Sequence, residues 1–196
     1  LFLLGAAAVY PVLYVLAASF SSYEFLAQGK VGIIPMGFNI EAYKRILTYP
    51  LIGRAYFNTI FYTVSGTAIS LVLSALAAYP ISRRPFPGQA FMSGVIVVAM
   101  LFSAGMIPTY IVVTKLNMYN TIWSLLIPTA VSSFNVVLLK NFFQQIPYEL
   151  EESAQLDGCS QLRILFQIIL PLAKPGVVTV GLFYAVAQWN SYFPAM

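Results

Sequence analysis

Histidine is absent from the 196-residue chain, cysteine occurs once, and charge of either sign is scarce. Without histidine there is no imidazole to act as general base or metal ligand. The lone Cys159 permits neither an intrachain disulfide nor a cysteine-built metal site. Charged residues make up 8% of the sequence, against about 25% in a typical soluble domain. Ten basic and six acidic side chains cannot cover a soluble surface of this size. A water-soluble globular enzyme is therefore excluded, and an integral membrane protein is implied. The net charge of +4 is spread along the chain and forms no basic patch for nucleic acid. A phosphate-binding loop is missing too, since it needs G-x-x-x-x-G-K-[ST] to cradle phosphates with backbone amides. The only Gly-Lys pair, Gly29-Lys30, is followed by Val31 and lacks the upstream glycine.

What is present is apolar: 60% of the residues are hydrophobic and 15% aromatic. The charges cluster so that residues 1–23, 55–82, 85–114, 116–139 and 175–196 carry none. About 20 apolar residues in a helix span a bilayer, where only helices and closed barrels satisfy the backbone. Barrel strands alternate in polarity over roughly ten residues, and runs such as Gly94–Leu101 do not. The expectation is an all-α membrane protein with five spans, near 1–19, 57–80, 89–110, 121–139 and 175–193. The small Ala17-Ala18-Ser19 leaves a signal-peptide core as the alternative for the first. With no basic leader visible and further spans following, a first helix is the reading. The chain starts without methionine and stops at Met196 in an apolar-aromatic stretch, as a piece of a longer protein would.

Two stretches are polar enough to lie outside the bilayer. Residues 20–55, with Pro35 and Gly37, read as an irregular loop on one side. Residues 140–174, carrying Lys140, Glu149, Glu151, Glu152, Asp157, Arg163 and Lys174, read as an organised element on the other. Basic residues normally mark the cytoplasmic side. Here Arg83, Arg84, Lys140, Arg163 and Lys174 face off against Lys30, Lys44, Arg45, Arg54 and Lys115. The tie leaves orientation open.

Residues 145–175 read QIPYELEESAQLDGCSQLRILFQIILPLAKP. Pro147 suits a first helical position, and the following glutamates suit the positive end of a helix dipole. Gly158 is a natural left-handed stop. Ser160 can cap a second helix, which Pro171 should end by disfavouring helical geometry at Leu170. Leu162, Leu165, Phe166 and Ile169 fall at i, i+3, i+4 and i+7 and form one apolar stripe. On periodicity alone, a flat helix in the headgroup region explains the stripe equally well.

Glu152-Ser153-Ala154, then Gly158, then Ile168-Ile169-Leu170-Pro171 resembles the EAA signature of binding-protein-dependent ABC importer permeases, E-A-A-x3-G-x9-I-x-L-P. Ser153 replaces the first alanine, and Asp157-Gly158 is the pair usual in the sugar-importing branch. Asn58-Thr59 and Ala78-Tyr79-Pro80 with Arg83-Arg84 resemble that family's second-span start and first cytoplasmic turn, and Phe102–Tyr110 and Trp189-Asn190 are similar to its maltose-permease type. The resemblance implies a MetI-like helical bundle with five of six spans present. It also implies a first helix and extracytoplasmic loop at 1–54, and a permease domain at 55–196 with a cytoplasmic coupling segment at 145–171.

The same resemblance implies that Glu152 is the charged contact to an ATPase and that Gly158 sets the elbow. Ala154 would let the helix sit close to its partner, Ser153 is small enough to keep that packing, and Asp157 belongs to the same coupling segment. The stripe Leu162, Leu165, Phe166 and Ile169 would hold the element against ATPase or membrane helices, and Ile168, Leu170 and Pro171 complete the coupling segment. The implied partners are ABC ATPase subunits, a second similar permease, an extracellular solute-binding protein and the bacterial inner membrane. No cofactor is expected in this chain, because ATP and magnesium would sit on the ATPase.

Polar residues inside apolar spans include Ser132, Ser133, Asn135, Gln188 and Asn190, the last two flanking Trp189. Asn135, Gln188, Trp189 and Asn190 have the amide and ring chemistry that binds sugars, although such residues often bond between helices. A permease of the same type for a non-sugar solute is the nearest alternative. An ion-coupled transporter would normally hold charges within its spans, and here every charge falls outside them. A membrane-embedded enzyme would need a second acidic cluster beside the glutamates of 149–152.

Overall fold

The computed structural model describes residues 2–83, 86–102 and 104–191. Among them the regular structure is helical, in two units that divide between Phe57 and Asn58.

The first unit holds α1 (Phe2–Ser19), α2 (Tyr23–Ala27), α3 (Glu41–Thr48) and the start of α4 (Pro50–Ser82). The loop expected over 20–55 is more organised than its composition suggested. The buried Ser21 donates its hydroxyl to Ala17 O at 2.7 Å and accepts the Met36 amide at 3.0 Å. Phe20 stacks between Phe38 and Tyr43. Asn39 Oδ1 accepts the Glu41 amide at 2.7 Å and starts α3. Tyr49 is extended, as the residue before a proline prefers, and Pro50 then opens α4 at a position needing no amide hydrogen.

The second unit contains the rest of α4, then α5 (Gln89–Leu101), α6 (Met106–Lys115), α7 (Trp123–Leu126), α8 (Ser133–Gln144) and α9 (Glu149–Leu156). It ends with α10 (Gln161–Leu172) and α11 (Lys174–Trp189). The 33 residues of α4 make a helix about 50 Å long at 1.5 Å per residue, more than a bilayer core requires. Among the described residues, α4 is the one unbroken helix long and apolar enough to cross a membrane. The pairs α5–α6 and α10–α11 reach that length and hydropathy only together, and α1 adds a shorter apolar segment, Ala7–Ser19.

Two expected spans are therefore broken. The span at 89–110 stops at Leu101 and restarts at Met106, after an extended Phe102 and a Gly105 at φ +78°. The span at 121–139 is a four-residue helix followed by α8. Pro128 offers no amide hydrogen there, and Ser132 caps α8 through the Asn135 amide. Neither break moves the hydropathy of its run, so charge-free length alone concealed both.

The core of this unit lies where the C-terminal half of α4 meets α8, α10 and α11. Leu139, Phe143, Ile164, Leu165, Ile169 and Val180 are fully buried there. At Gly176 a Cβ would collide with the Phe142 ring, so a bare backbone is what brings α11 against α8.

Candidate functional site

The segment between α8 and α11 folds as two helices around a tight elbow. Glu149, Glu151 and Glu152 occupy the first turn of α9, at the positive end of its dipole. Gly158 ends it with φ +78°. The Cys159 amide donates to Ala154 O and the Gly158 amide to Gln155 O, both at 3.0 Å. Those bonds are the six-to-one and five-to-two pair of a Schellman stop. Ser160 Oγ then caps α10 by accepting the Arg163 amide at 3.4 Å.

Helix α10 does not end at Pro171, as the sequence pattern predicts. Leu165–Ile169 is a π turn, and the helix continues to Leu172 before turning 89° into α11. A proline ring normally clashes with the carbonyl four residues back. The wider π turn just ahead opens that space.

The side chains that face inward are not the expected set. Ile164, Leu165 and Ile169 are buried, whereas Leu162 is 60% and Phe166 45% exposed. The expected stripe of Leu162, Leu165, Phe166 and Ile169 is thus split between core and surface. The inward set is instead Ile164, Leu165, Ile168 and Ile169, at i, i+1, i+4 and i+5. Ile168 and Leu170 are half-buried against the core, and Pro171 is exposed.

On α9, Ala154 is buried, Ser153 is exposed with its hydroxyl on Glu149 O, and Asp157 and Gly158 are exposed. Glu152 is half-buried and borders a hollow of about 650 Å3 shared with Arg83, Gln144 and Glu149. The deeply buried carboxylate is its neighbour. Glu151, with a side chain 3% exposed, lies 3.0 Å from Nε of Arg83, itself 9% exposed. Its other oxygen accepts the Tyr79 hydroxyl at 2.8 Å and the Gln155 amide at 3.3 Å.

The Tyr79 hydroxyl also lies 2.8 Å from the Gln161 side-chain amide on α10. A hydroxyl has one proton, and the carboxylate is the stronger acceptor. Gln161 therefore serves as donor, with its amide turned so that nitrogen faces Tyr79. Arg83 adds a long bond from Nη1 to Ile146 O at 3.4 Å, and its guanidinium carbon sits 5.7 Å from the Tyr79 ring centroid. Arg83 Nε and Glu151 Oε2 make no well-aligned hydrogen bond. Their 3.0 Å approach is an ionic contact. A cavity of about 510 Å3 opens beside this group, lined by Leu76, Arg83, Glu151, Gln155, Gln161 and Leu162.

Sequence reasoning singled out Glu152 and passed over Glu151. The signal was there: Glu151 precedes the small Ala154 by three residues, so both share the inward face of α9. Tyr79 and Arg83 are likewise four apart at the end of α4. Arg84 of the same motif lies outside the described residues, as does Ser103 of Phe102–Tyr110.

A second polar group sits deeper along α4. The Tyr184 hydroxyl is 2.6 Å from Ser74 Oγ and accepts the Ser132 amide at 2.9 Å. Gln188 is buried, donates to Thr129 Oγ1 at 3.1 Å, and fills the space over Gly66. The buried hydroxyls of Thr63, Thr67 and Ser70 have no partner among the described residues. With Ser74 they form a polar line at i, i+4, i+7 and i+11, which the sequence shows and its reading missed. Of the four residues expected along a solute path, Asn135 and Gln188 are buried, while Trp189 and Asn190 are exposed. The Asn190 amide turns back onto Val186 O.

An all-helical fold whose paired helices dock under a long apolar helix is the architecture of a membrane permease subunit. Residues 70–195 match the family model described as "Binding-protein-dependent transport system inner membrane component". The chain belongs to that family. It is 46% identical over 96% of its length to the polygalacturonan/rhamnogalacturonan transport system permease protein YtcP of Bacillus subtilis (strain 168), covering 66% of that protein. Against protein LplC of the same organism the figures are 44%, 98% and 65%. The chain thus spans a little under two thirds of the length of these curated relatives. A crystal structure of a bacterial ABC transporter importing the acidic polysaccharide alginate has a chain that superposes with a TM-score of 0.90 at 36% identity. That match covers 97% of this chain and 68% of the other.

Proposed function

We propose that the chain is the transmembrane permease subunit of an ATP-driven, binding-protein-dependent importer for a sugar or oligosaccharide. The observation that carries this is the elbowed helix pair α9–α10. It is anchored inward by Ala154, Leu165 and Ile169 and leaves Leu156, Leu162 and Phe166 exposed. Such a rigid, short, partly apolar projection suits docking to another protein. The named uses of relatives, which include polygalacturonan and trehalose transport, support a carbohydrate cargo.

In this reading α9 and α10 face the cytoplasm of a bacterial inner membrane and seat on an ABC ATPase. Glu152, Ser153, Asp157 and the exposed leucines and phenylalanine form the contact. ATP and magnesium belong to the ATPase, and this chain performs no hydrolysis. A second similar permease completes the pathway, and an extracellular binding protein delivers the solute. Gln188, Asn135, Trp189 and Asn190 border the route.

Purification from the native membrane tests the whole reading. An ATPase, a second permease and a binding protein should copurify, and screening that binding protein should return a carbohydrate. Uptake that survives ATP depletion but collapses with the proton gradient overturns it.

A further inference from the structure

We propose that Arg83, Tyr79 and Glu151 are positioning residues that lock the α9–α10 pair to the end of α4, so that movement of the pair is carried into that helix. The inference rests on the permease reading and adds a route for the force.

The elbow is closed by backbone bonds and the Ser160 cap, and no described side chain packs around it. Nothing lies within 4 Å of where a Gly158 Cβ would be, so the angle between α9 and α10 is not packed into place at the turn. What spans the two helices is the Tyr79 hydroxyl, bonded to Glu151 on α9 and Gln161 on α10 at 2.8 Å each. Arg83, one residue past α4, fixes the other oxygen of Glu151 at 3.0 Å. One carboxylate is therefore gripped from two points on α4, and one hydroxyl of α4 grips both arms.

The chemistry argues for alignment more than for stability. A buried ion pair gives little net stabilisation over a well-packed apolar pair, because both charges lose their hydration. Direction comes from the Tyr79 hydroxyl bond to Glu151, whose charge Arg83 balances from beside it, and leucine and methionine supply neither. Removing one partner strands the other charge, so single and paired substitutions separate the two roles.

The test uses the complete transporter in lipid vesicles, with the binding protein and a carbohydrate ligand that it binds. The readouts are ATPase copurification, ATP hydrolysis, and solute imported per ATP. In Arg83→Met/Glu151→Leu no charge is stranded. This variant should keep its ATPase and hydrolyse ATP while importing at least tenfold less solute per ATP. The exchange R83E/E151R should recover the ratio to within about threefold of the native protein. Tyr79→Phe should lower it by a smaller factor, with ATPase binding intact. A native import ratio in the Met/Leu variant overturns the proposal and leaves the permease reading standing, because the pair is then only a folding device. Failure of the native chain to bind any ATPase overturns both.

Discussion

The hydroxyls of Ser74 and Tyr184 lie 2.6 Å apart in the buried centre of the second unit, and the Tyr184 oxygen also takes the amide of Ser132. One phenol thus joins α11 to α4 and to the capped start of α8. The partners differ in what they lose without it. Ser74 can turn its hydroxyl to a carbonyl one turn back on its own helix. The Ser132 amide has no such choice. Tyr184→Phe should therefore cost about 1–2 kcal/mol, and Ser74→Ala less, read as the shift in thermal unfolding of the detergent-solubilised protein. Equal losses would mean that the Ser132 bond contributes nothing.

Gly176 makes a different demand on the same pair of helices. Its Cβ position is occupied by the ring and Cβ of Phe142, which have no flexible end to swing away. Gly176→Ala should destabilise by about 1–3 kcal/mol through overpacking. Gly66→Ala meets mainly the far end of the Gln188 side chain and should cost less. Pairing Gly176→Ala with Phe142→Ala should recover part of the loss. Unfolding temperatures of the three variants decide it, and a neutral Gly176→Ala would show that α8 and α11 are free to separate.

Residue type made some of this legible and tertiary context hid the rest. The end of α1 at Ser19, the start of α11, the Gly158 stop and the Ser160 cap are where the sequence puts them, whereas α11 ends at Trp189, four residues before the expected 193. The breaks after Leu101 and Leu126 were not legible from hydropathy, because apolar content does not change across them. Pro128 and Gly105 were the available signs. The inward face of α10 runs through Ile164, Leu165, Ile168 and Ile169, and LRILFQIILP carries apolar residues at both this spacing and the expected one, so periodicity alone does not choose between them. Glu151 was passed over for its neighbour because motif matching weighs position in a pattern, whereas burial follows the face shared with Ala154.

Gly158 tests whether backbone conformation alone sets the elbow. With open space around it, a side chain there meets no neighbour, and the cost is that of the left-handed backbone at φ +78°. That is about 1–2 kcal/mol for an ordinary L-residue and less for asparagine. Gly158→Asn should keep the ATPase in a copurification, and Gly158→Val should lose it while the protein stays in the membrane. Transport by the valine variant at the native rate would remove the elbow from the coupling role.

Leu162 and Leu165 sit three apart on α10 and face opposite fates, one exposed and one fully buried. Leu165→Ala opens a cavity among Ile164, Ile169 and their neighbours and should cost about 2–5 kcal/mol. Leu162→Ser leaves the core untouched, so thermal unfolding should move by no more than about 0.5 kcal/mol. Its effect belongs to the partner: with Phe166→Ser it should weaken ATPase capture at least tenfold, because exposed apolar side chains on a rigid helix gain from burial in a complementary cleft. The same pair of measurements separates the two faces of α10. If Leu162→Ser/Phe166→Ser binds the ATPase as tightly as the native chain, docking runs through α9 alone. The outward side of α10 then faces lipid headgroups, the other reading its apolar stripe allowed.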